Sequence, residues 1–302
     1  MKFLARIACA LVIATPAVAS AEDITVGLYA PTAPFESSGD RVSFINGVAE
    51  HLSSVSGGAK VTGKVYGSAS AFTAAVKKGE IQYAVIDAPY AAANGLPYQI
   101  LATATRNNES SAAWQLVAKS AIGSIKDLKG AKVAIPTVGA KQQAFVTNVL
   151  LGAEVDASYF GSIVDAADAR SAMTMITTGK ADAAFVSSGA EPPAGTKRLL
   201  GLTNVGWPMF VALPGADAKL TTAFSARIKS FGGAGGFSGF TDAVNYRSLA
   251  GSFSSNNKRG PMAVPPPARL NVRDLLAGRT FNVPLSDPLD VVVAPAAPAP
   301  AQ

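Results

Sequence analysis

The residues of this chain that could do chemistry fall in six short stretches, each leading from a small-and-branched run into a helix-like pattern. Thr32 is in the first, Tyr66, Ser68 and Ser70 in the second, and Asp87 and Tyr90 in the third. Thr137, Gly139 and Lys141 are in the fourth, Asp165 in the fifth, and Ser187 and Glu191 in the sixth. Hydroxyls and glycines at helix starts leave backbone N–H groups free, and the positive end of the helix dipole reinforces them. Such a set suits a small oxyanion without a full positive charge, with Lys141 as one available cation. Asp87, Tyr90 and Glu191 could hold a cationic or hydroxylated part of the same ligand. Plainer roles also exist, because Ser68, Ser70 and Asp165 could cap their own helices and strand-end carboxylates often form turns.

Counting excludes much other chemistry. The 302 residues contain one histidine, His51, and one cysteine, Cys9. A serine triad needs an imidazole beside its nucleophile, and His51 sits on what reads as the polar side of a helix. No GxSxG occurs, and GGAGGFSG at 232–239 lacks the Gly-Lys-Ser/Thr of a phosphate loop, so it reads as a flexible connection between helices. No cofactor, metal site or catalytic residue is expected.

Two units of alternating elements must position these loops. DITVGLYAP gives a strand over Ile24–Tyr29, and apolar residues at Val42, Ile45, Val48, Ala49 and Leu52 give a helix ended by Gly57-Gly58. AKVTGKVYG, SASAFTAAVKKG and IQYAVIDA follow as strand, capped helix and strand, and YQILATATRNN leads the chain outward. A second βαβαβ series begins with a strand at 114–118 and a short helix at 124–128. It continues with a strand at 132–135, a helix in AFVTNVLLG, a strand in DASYFGSIV, a helix capped by Asp165 or Asp168, and a strand in ADAAFVS. VKKGEIQYAVIDAP at 76–89 returns as ITTGKADAAFVSSG at 176–189, with Gly79 and Gly179 one hundred residues apart. Alternation of this kind predicts parallel sheets covered on both faces, and its repetition predicts an α/β architecture of two similar doubly wound lobes around a central cleft. LTNVGWPMFVALPGAD then runs back as a strand, with helices in LTTAFSARIKSF and FTDAVNYRSLAGSF. We expect lobe 1 at 22–105 plus 206–282 and lobe 2 at 106–205, joined by a hinge crossed near 103–106 and 202–207. Trp114 and Trp207 read as core or hinge packing.

The ends carry signals of their own. Lys2 and Arg6, an apolar stretch from Ile7 to Ala14, and Ala19-Ser20-Ala21 predict a cleavable signal peptide over 1–21, hence export. Its removal takes away two basic residues, leaving 24 against 20 acidic ones and a charge of +4, too mild for nucleic acid. It also removes Cys9, so no disulfide is expected. RGPMAVPPPARLNVRDLLAGRTFNVPLSDPLD is expected to wrap the surface, and the proline- and alanine-rich 283–302 to be a disordered tail.

The signal peptide, SIKDLKGAKVAIP at 124–136, the paired helix-glycine-strand units and the return through GWPMFVALPGAD resemble type 2 periplasmic solute-binding proteins of ABC transporters, within them the phosphate, phosphite and phosphonate-binding group. The resemblance covers roughly 22–250. It implies a periplasmic, anion-binding trap in the family's manner: two lobes close on a small-molecule ligand, and the closed monomer is presented to an inner-membrane permease. Thr137-Val138-Gly139 keeps one hydroxyl of the serine-threonine-serine turn of phosphonate binders, Ala69 stands where a tyrosine is frequent, and Tyr90 sits where a ligand-facing tyrosine is expected. The same trap could serve a membrane receptor kinase as a sensor. An enzyme on this fold and a pocket turned into a protein-interaction surface are the other readings left open.

Overall fold

Alternation within the strands explains how two layers of helices can cover each sheet. In β1 (Ile24–Tyr29), Ile24, Val26 and Leu28 face one apolar core while Tyr29 faces another, and only Thr25 is partly exposed. This computed structural model describes residues 23–244 except 95–97, 140 and 157, together with Leu249, Gly251 and Phe253. The expected signal peptide, the surface wrap and the tail lie outside the described residues.

After β1 come α1 (Ser38–Ser53), β2 (Val61–Val65), α2 (Ala69–Lys77), β3 (Tyr83–Ile86), α3 (Ala88–Asn94) and β4 (Gln99–Thr105). The chain then enters a second sheet through β5 (Ser111–Lys119), a 3-10 turn (Ile125–Leu128) and β6 (Lys132–Pro136). There follow α4 (Gln142–Ala144), which widens into a π-helical turn over Phe145–Leu150, then β7 (Ser162–Ala166), α5 (Ala169–Thr177), β8 (Ala183–Ser187) and β9 (Thr196–Gly206). It returns through β10 (Met209–Ala212), α6 (Ala218–Ile228) and β11 (Gly239–Thr241).

The strand orders are β11-β4-β10-β3-β1-β2 and β7-β6-β8-β5-β9. Each sheet has a parallel trio, β2-β1-β3 or β7-β6-β8, followed by antiparallel strands. The sheets are therefore mixed, not purely parallel, because the strand that continues each trio arrives from the other lobe. The helix-glycine-strand repeat is kept to the residue: α2 and α5 start at Ala69 and Ala169, and β3 and β8 share Tyr83 and Ala183 as their first residues. Gly79 and Gly179 end the two helices with φ of 70° and 71°, a left-handed conformation that a side chain would strain.

Several elements differ from the sequence reading. LTNVGWPMFVALPGAD is two strands in different sheets, because Pro208 cannot continue a ladder and Trp207 turns into the first core. The strand read in DASYFGSIV starts later, at Ser162, because Tyr159 and Phe160 pack into the second core from a turn. YQILATATRNN lies inside the first sheet, paired on both sides as β4. Phe240 and Thr241 belong to β11 rather than to a helix. The glycine cluster is a packed loop and not a loose connection: a Cβ on Gly235 would stand 2.5 Å from the Asp40 carbonyl, and Phe237 is buried against Phe35 and Phe44. Phe253 stacks on Phe145 in the second core, although 206–282 was assigned to the first lobe.

Trp114 and Trp207 are buried, one in each lobe, as expected of packing residues. His51 ties α1 to the end of α6, its Nε2 lying 2.9 Å from the Arg227 carbonyl. The seating of α1 on β2 depends on Gly63, where a Cβ would come within 2.8 Å of the Ile45 carbonyl. Gly63→Ala is expected to cost about 1–3 kcal/mol, seen as a lower urea midpoint with an unchanged slope. Among the described residues no helix is long and apolar enough to cross a membrane, and no group of three His, Cys, Asp or Glu could hold a metal ion.

Candidate functional site

The carboxyl ends of β3 and β8 carry equivalent residues one hundred positions apart, Asp87 and Ser187. Both are buried, and Asp87 Oδ1 and Ser187 Oγ have no hydrogen-bond partner among the described residues. Strand alternation places Asp87 on the face of Tyr83 and Val85, toward the loop after β1. There the Thr32 amide donates to Asp87 Oδ2 at 2.6 Å. Burial pushes the Asp87 carboxyl up to about 7, against the opposing pull of its Thr32 hydrogen bonds and of the Arg41 charge. Near neutrality this group can act as a proton donor or as an acceptor.

Tyr29 and Arg41 join these residues, and the sequence reading missed both. Tyr29 packs edge-on to Tyr90 with centroids 4.7 Å apart and bonds to the Ala69 backbone at the start of α2. Its hydroxyl is held strongly protonated, by burial first and then by Asp87, Tyr90 and Asp165, the last of these from the second lobe. Arg41, one turn into α1, lies over the Phe35 ring and donates across the cleft to Asp168 Oδ2 at 2.9 Å. A Cβ on Gly139 would stand 2.6 Å from Asn94 Nδ2, and one on Gly189 would stand 3.0 Å from Pro34. Loops from the two sheets thus meet face to face.

The remaining nominated residues divide by environment. Ser68 caps α2, accepting from the Ala71 amide at 3.2 Å, and its hydroxyl touches that of Ser70 at 3.1 Å. Asp168, at the equivalent position, caps α5; Asp165 does not. Tyr66 is buried with an unpartnered hydroxyl. Tyr90 is also buried, and its hydroxyl lies 3.0 Å from the Thr73 hydroxyl, which leaves it one further donor or acceptor position. Thr137 donates to the Ala166 carbonyl at 3.1 Å, which closes the turn after β6. Lys141 is exposed at the start of α4. Gly139 and Asp165 share the wall of a concavity of about 620 Å³ along β7. Glu191 lines a separate cavity of about 420 Å³ between Pro34–Glu36 of the first lobe and Arg170, Met173 and Pro193 of the second. Ser68→Ala is expected to cost about 1 kcal/mol of stability through the lost cap, and Ser70→Ala to leave stability unchanged, both read by thermal denaturation.

A cleft between two α/β sheets, lined by strand ends and helix starts, is an arrangement that binds small polar ligands. Solved structures share the fold. PhnD1 from Prochlorococcus marinus in complex with methylphosphonate superposes with a TM-score of 0.60 at 12% identity, covering 77% of this chain and 97% of that one. A Xanthomonas citri protein bound to ATP gives 0.58 at 12%, covering 78% and 97%. A binding protein component of an ABC phosphonate transporter from Pseudomonas aeruginosa gives 0.57 at 14%, covering 73% and 81%. No curated protein matches the chain. Residues 32–197, more than half of the sequence, match the family described as ABC transporter, phosphonate, periplasmic substrate-binding protein, and with the two-lobed fold and its facing loops this chain belongs to that family.

Proposed function

We propose that the protein captures a small solute bearing an oxyanion, a phosphonate or phosphate, between its lobes in the periplasm and delivers it as a monomer to an inner-membrane ABC permease. The family consists of substrate-binding components of transporters, not enzymes, with a small-molecule ligand and a membrane permease as partners. The observation that carries the proposal is the pair of buried, unpartnered oxygens on Asp87 and Ser187 at matching strand ends. A buried polar atom without a partner costs about 1–3 kcal/mol, and the proposed ligand would relieve both by accepting from one and pairing with the other. Thr32, Tyr66, Ser68, Ser70 and Tyr90 are proposed to complete the first lobe's share of the site, and Thr137, Gly139, Lys141, Asp165 and Glu191 the second's. Only a solute with higher affinity for the closed state shifts the hinge, so contacts from both lobes are needed.

The methylphosphonate complex of PhnD1 and the ATP complex of the Xanthomonas citri protein make alkylphosphonates and phosphate esters the first compounds to try. Titration calorimetry against methylphosphonate, inorganic phosphate, an alkylsulfonate and amino acids tests the reading. Binding of a phosphonate or phosphate that falls at least tenfold in both Asp87→Leu and Ser187→Ala supports it. Heat from amino acids alone, or from none of the compounds, counts against it.

A further inference from the structure

The N-caps of α2 and α5 occupy equivalent positions, yet one is Ser68 and the other Asp168. Serine and aspartate cap a helix about equally well, so capping does not account for the charge. The two carboxylate oxygens of Asp168 divide the work. Oδ1 accepts from the Ser171 amide at 2.7 Å, which is the cap, and Oδ2 accepts from Arg41 at 2.9 Å. Arg41 is in α1 of the first lobe, 127 residues away in sequence, and this is the one ion pair between the lobes among the described residues. Its side chains are 16% and 26% exposed, so it is less screened than a surface pair. The Phe35 ring holds the guanidinium from below, 5.6 Å from its carbon. Nothing in this contact requires a solute, because both partners belong to the chain.

We propose that Arg41 and Asp168 form a latch that holds the lobes together in the solute-free protein. Separation of the lobes breaks a charge-assisted hydrogen bond between side chains of α1 and of the α5 N-cap, whereas both caps persist. The pair thereby sets how much of the protein is closed before any solute arrives. The proposal rests on the hinged reading above, but its test needs no knowledge of the solute.

The test is energy transfer between dyes on Lys78→Cys and Lys180→Cys, exposed positions on the two lobes, in the full chain carrying Cys9→Ser. Arg41→Gln and Asp168→Asn are compared in this background, since asparagine keeps the cap while removing the charge. Each variant is expected to raise the open-to-closed ratio of the solute-free protein about tenfold, and the double variant no further than either single one. Sodium chloride at high concentration should open the unmodified pair and leave the variants unchanged. Unchanged transfer in both single variants, or effects that simply add, overturns the latch. Arg41→Gln leaves the α5 cap intact, so it decides the matter alone if Asp168→Asn disturbs folding. Methylphosphonate added to the same samples separates the two readings. Closure by solute with no difference among variants sinks the latch and keeps the trap; variants that open, with no response to any solute, keep the latch and remove the oxyanion.

Discussion

Asp87→Asn is expected to flatten the pH dependence of both folding stability and solute affinity. The folded carboxyl titrates near 7 while the unfolded one titrates at 3.8, because burial disfavours its charged form. The native state therefore keeps this proton longer than the unfolded chain. Its stabilising contribution is whole below about pH 4 and is lost as pH rises to 7, a swing of up to about 4 kcal/mol. Asparagine has nearly the same shape, can accept from the Thr32 amide and does not titrate. Urea denaturation at pH 4 and pH 8 should show the advantage of the native residue over asparagine shrinking by a few kcal/mol across that interval. Affinity follows the same proton. A protonated Asp87 can donate to an oxyanion, whereas the ionised form repels it, so binding of methylphosphonate should weaken about tenfold per pH unit above 7, and Asp87→Asn should remove that dependence and leave only the ligand's own titration. Parallel pH curves for the two proteins would remove the assigned role of this carboxyl.

Gly139→Ala is expected to reduce solute affinity by more than tenfold while costing only about 1 kcal/mol of stability. The residue has φ of 92°, which alanine adopts with strain. Its Cβ would also stand 2.6 Å from Asn94 Nδ2 in α3 of the other lobe. Asn94 cannot easily turn aside, because it donates to the Tyr90 carbonyl at 2.7 Å. The clash is relieved when the lobes separate, so most of the cost opposes closure and appears in binding, measured by calorimetry. Asn94→Ala in the same chain should restore most of the lost affinity, an interaction between two sites that a purely local strain at Gly139 would not produce.

The sequence was legible wherever short-range rules decide. Glycines at 79 and 179 end helices because of their own backbone freedom, and Ser68 and Asp168 start them because of their own side chains. The resulting repeat disclosed two equivalent units, and with them Asp87 and Ser187. Residues whose importance comes from the other lobe were not legible. Arg41 follows a capped helix start like many surface arginines, and only the approach of Asp168 gives it a role. Tyr29 reads as the last residue of a buried strand, and its place among Asp87, Tyr90 and Asp165 depends on three separate stretches meeting. The contact of the Tyr90 hydroxyl with Thr73 likewise depends on how α3 packs on α2 within the first lobe. The break between β9 and β10 was signalled by Pro208, but which sheet each half would join is a property of the whole topology.

The position of β10 governs the order in which the protein can be built. It lies between β3 and β4, strands that are made about one hundred residues earlier. Until Met209–Ala212 emerges, the earlier half of the molecule lacks the rung that joins β3 to β4, and its sheet cannot be completed. All five strands of the other sheet, by contrast, lie between Ser111 and Gly206 without interruption. During synthesis the later-born sheet is therefore the first that can be completed, and the amino-terminal strands must wait for it in an unfinished state.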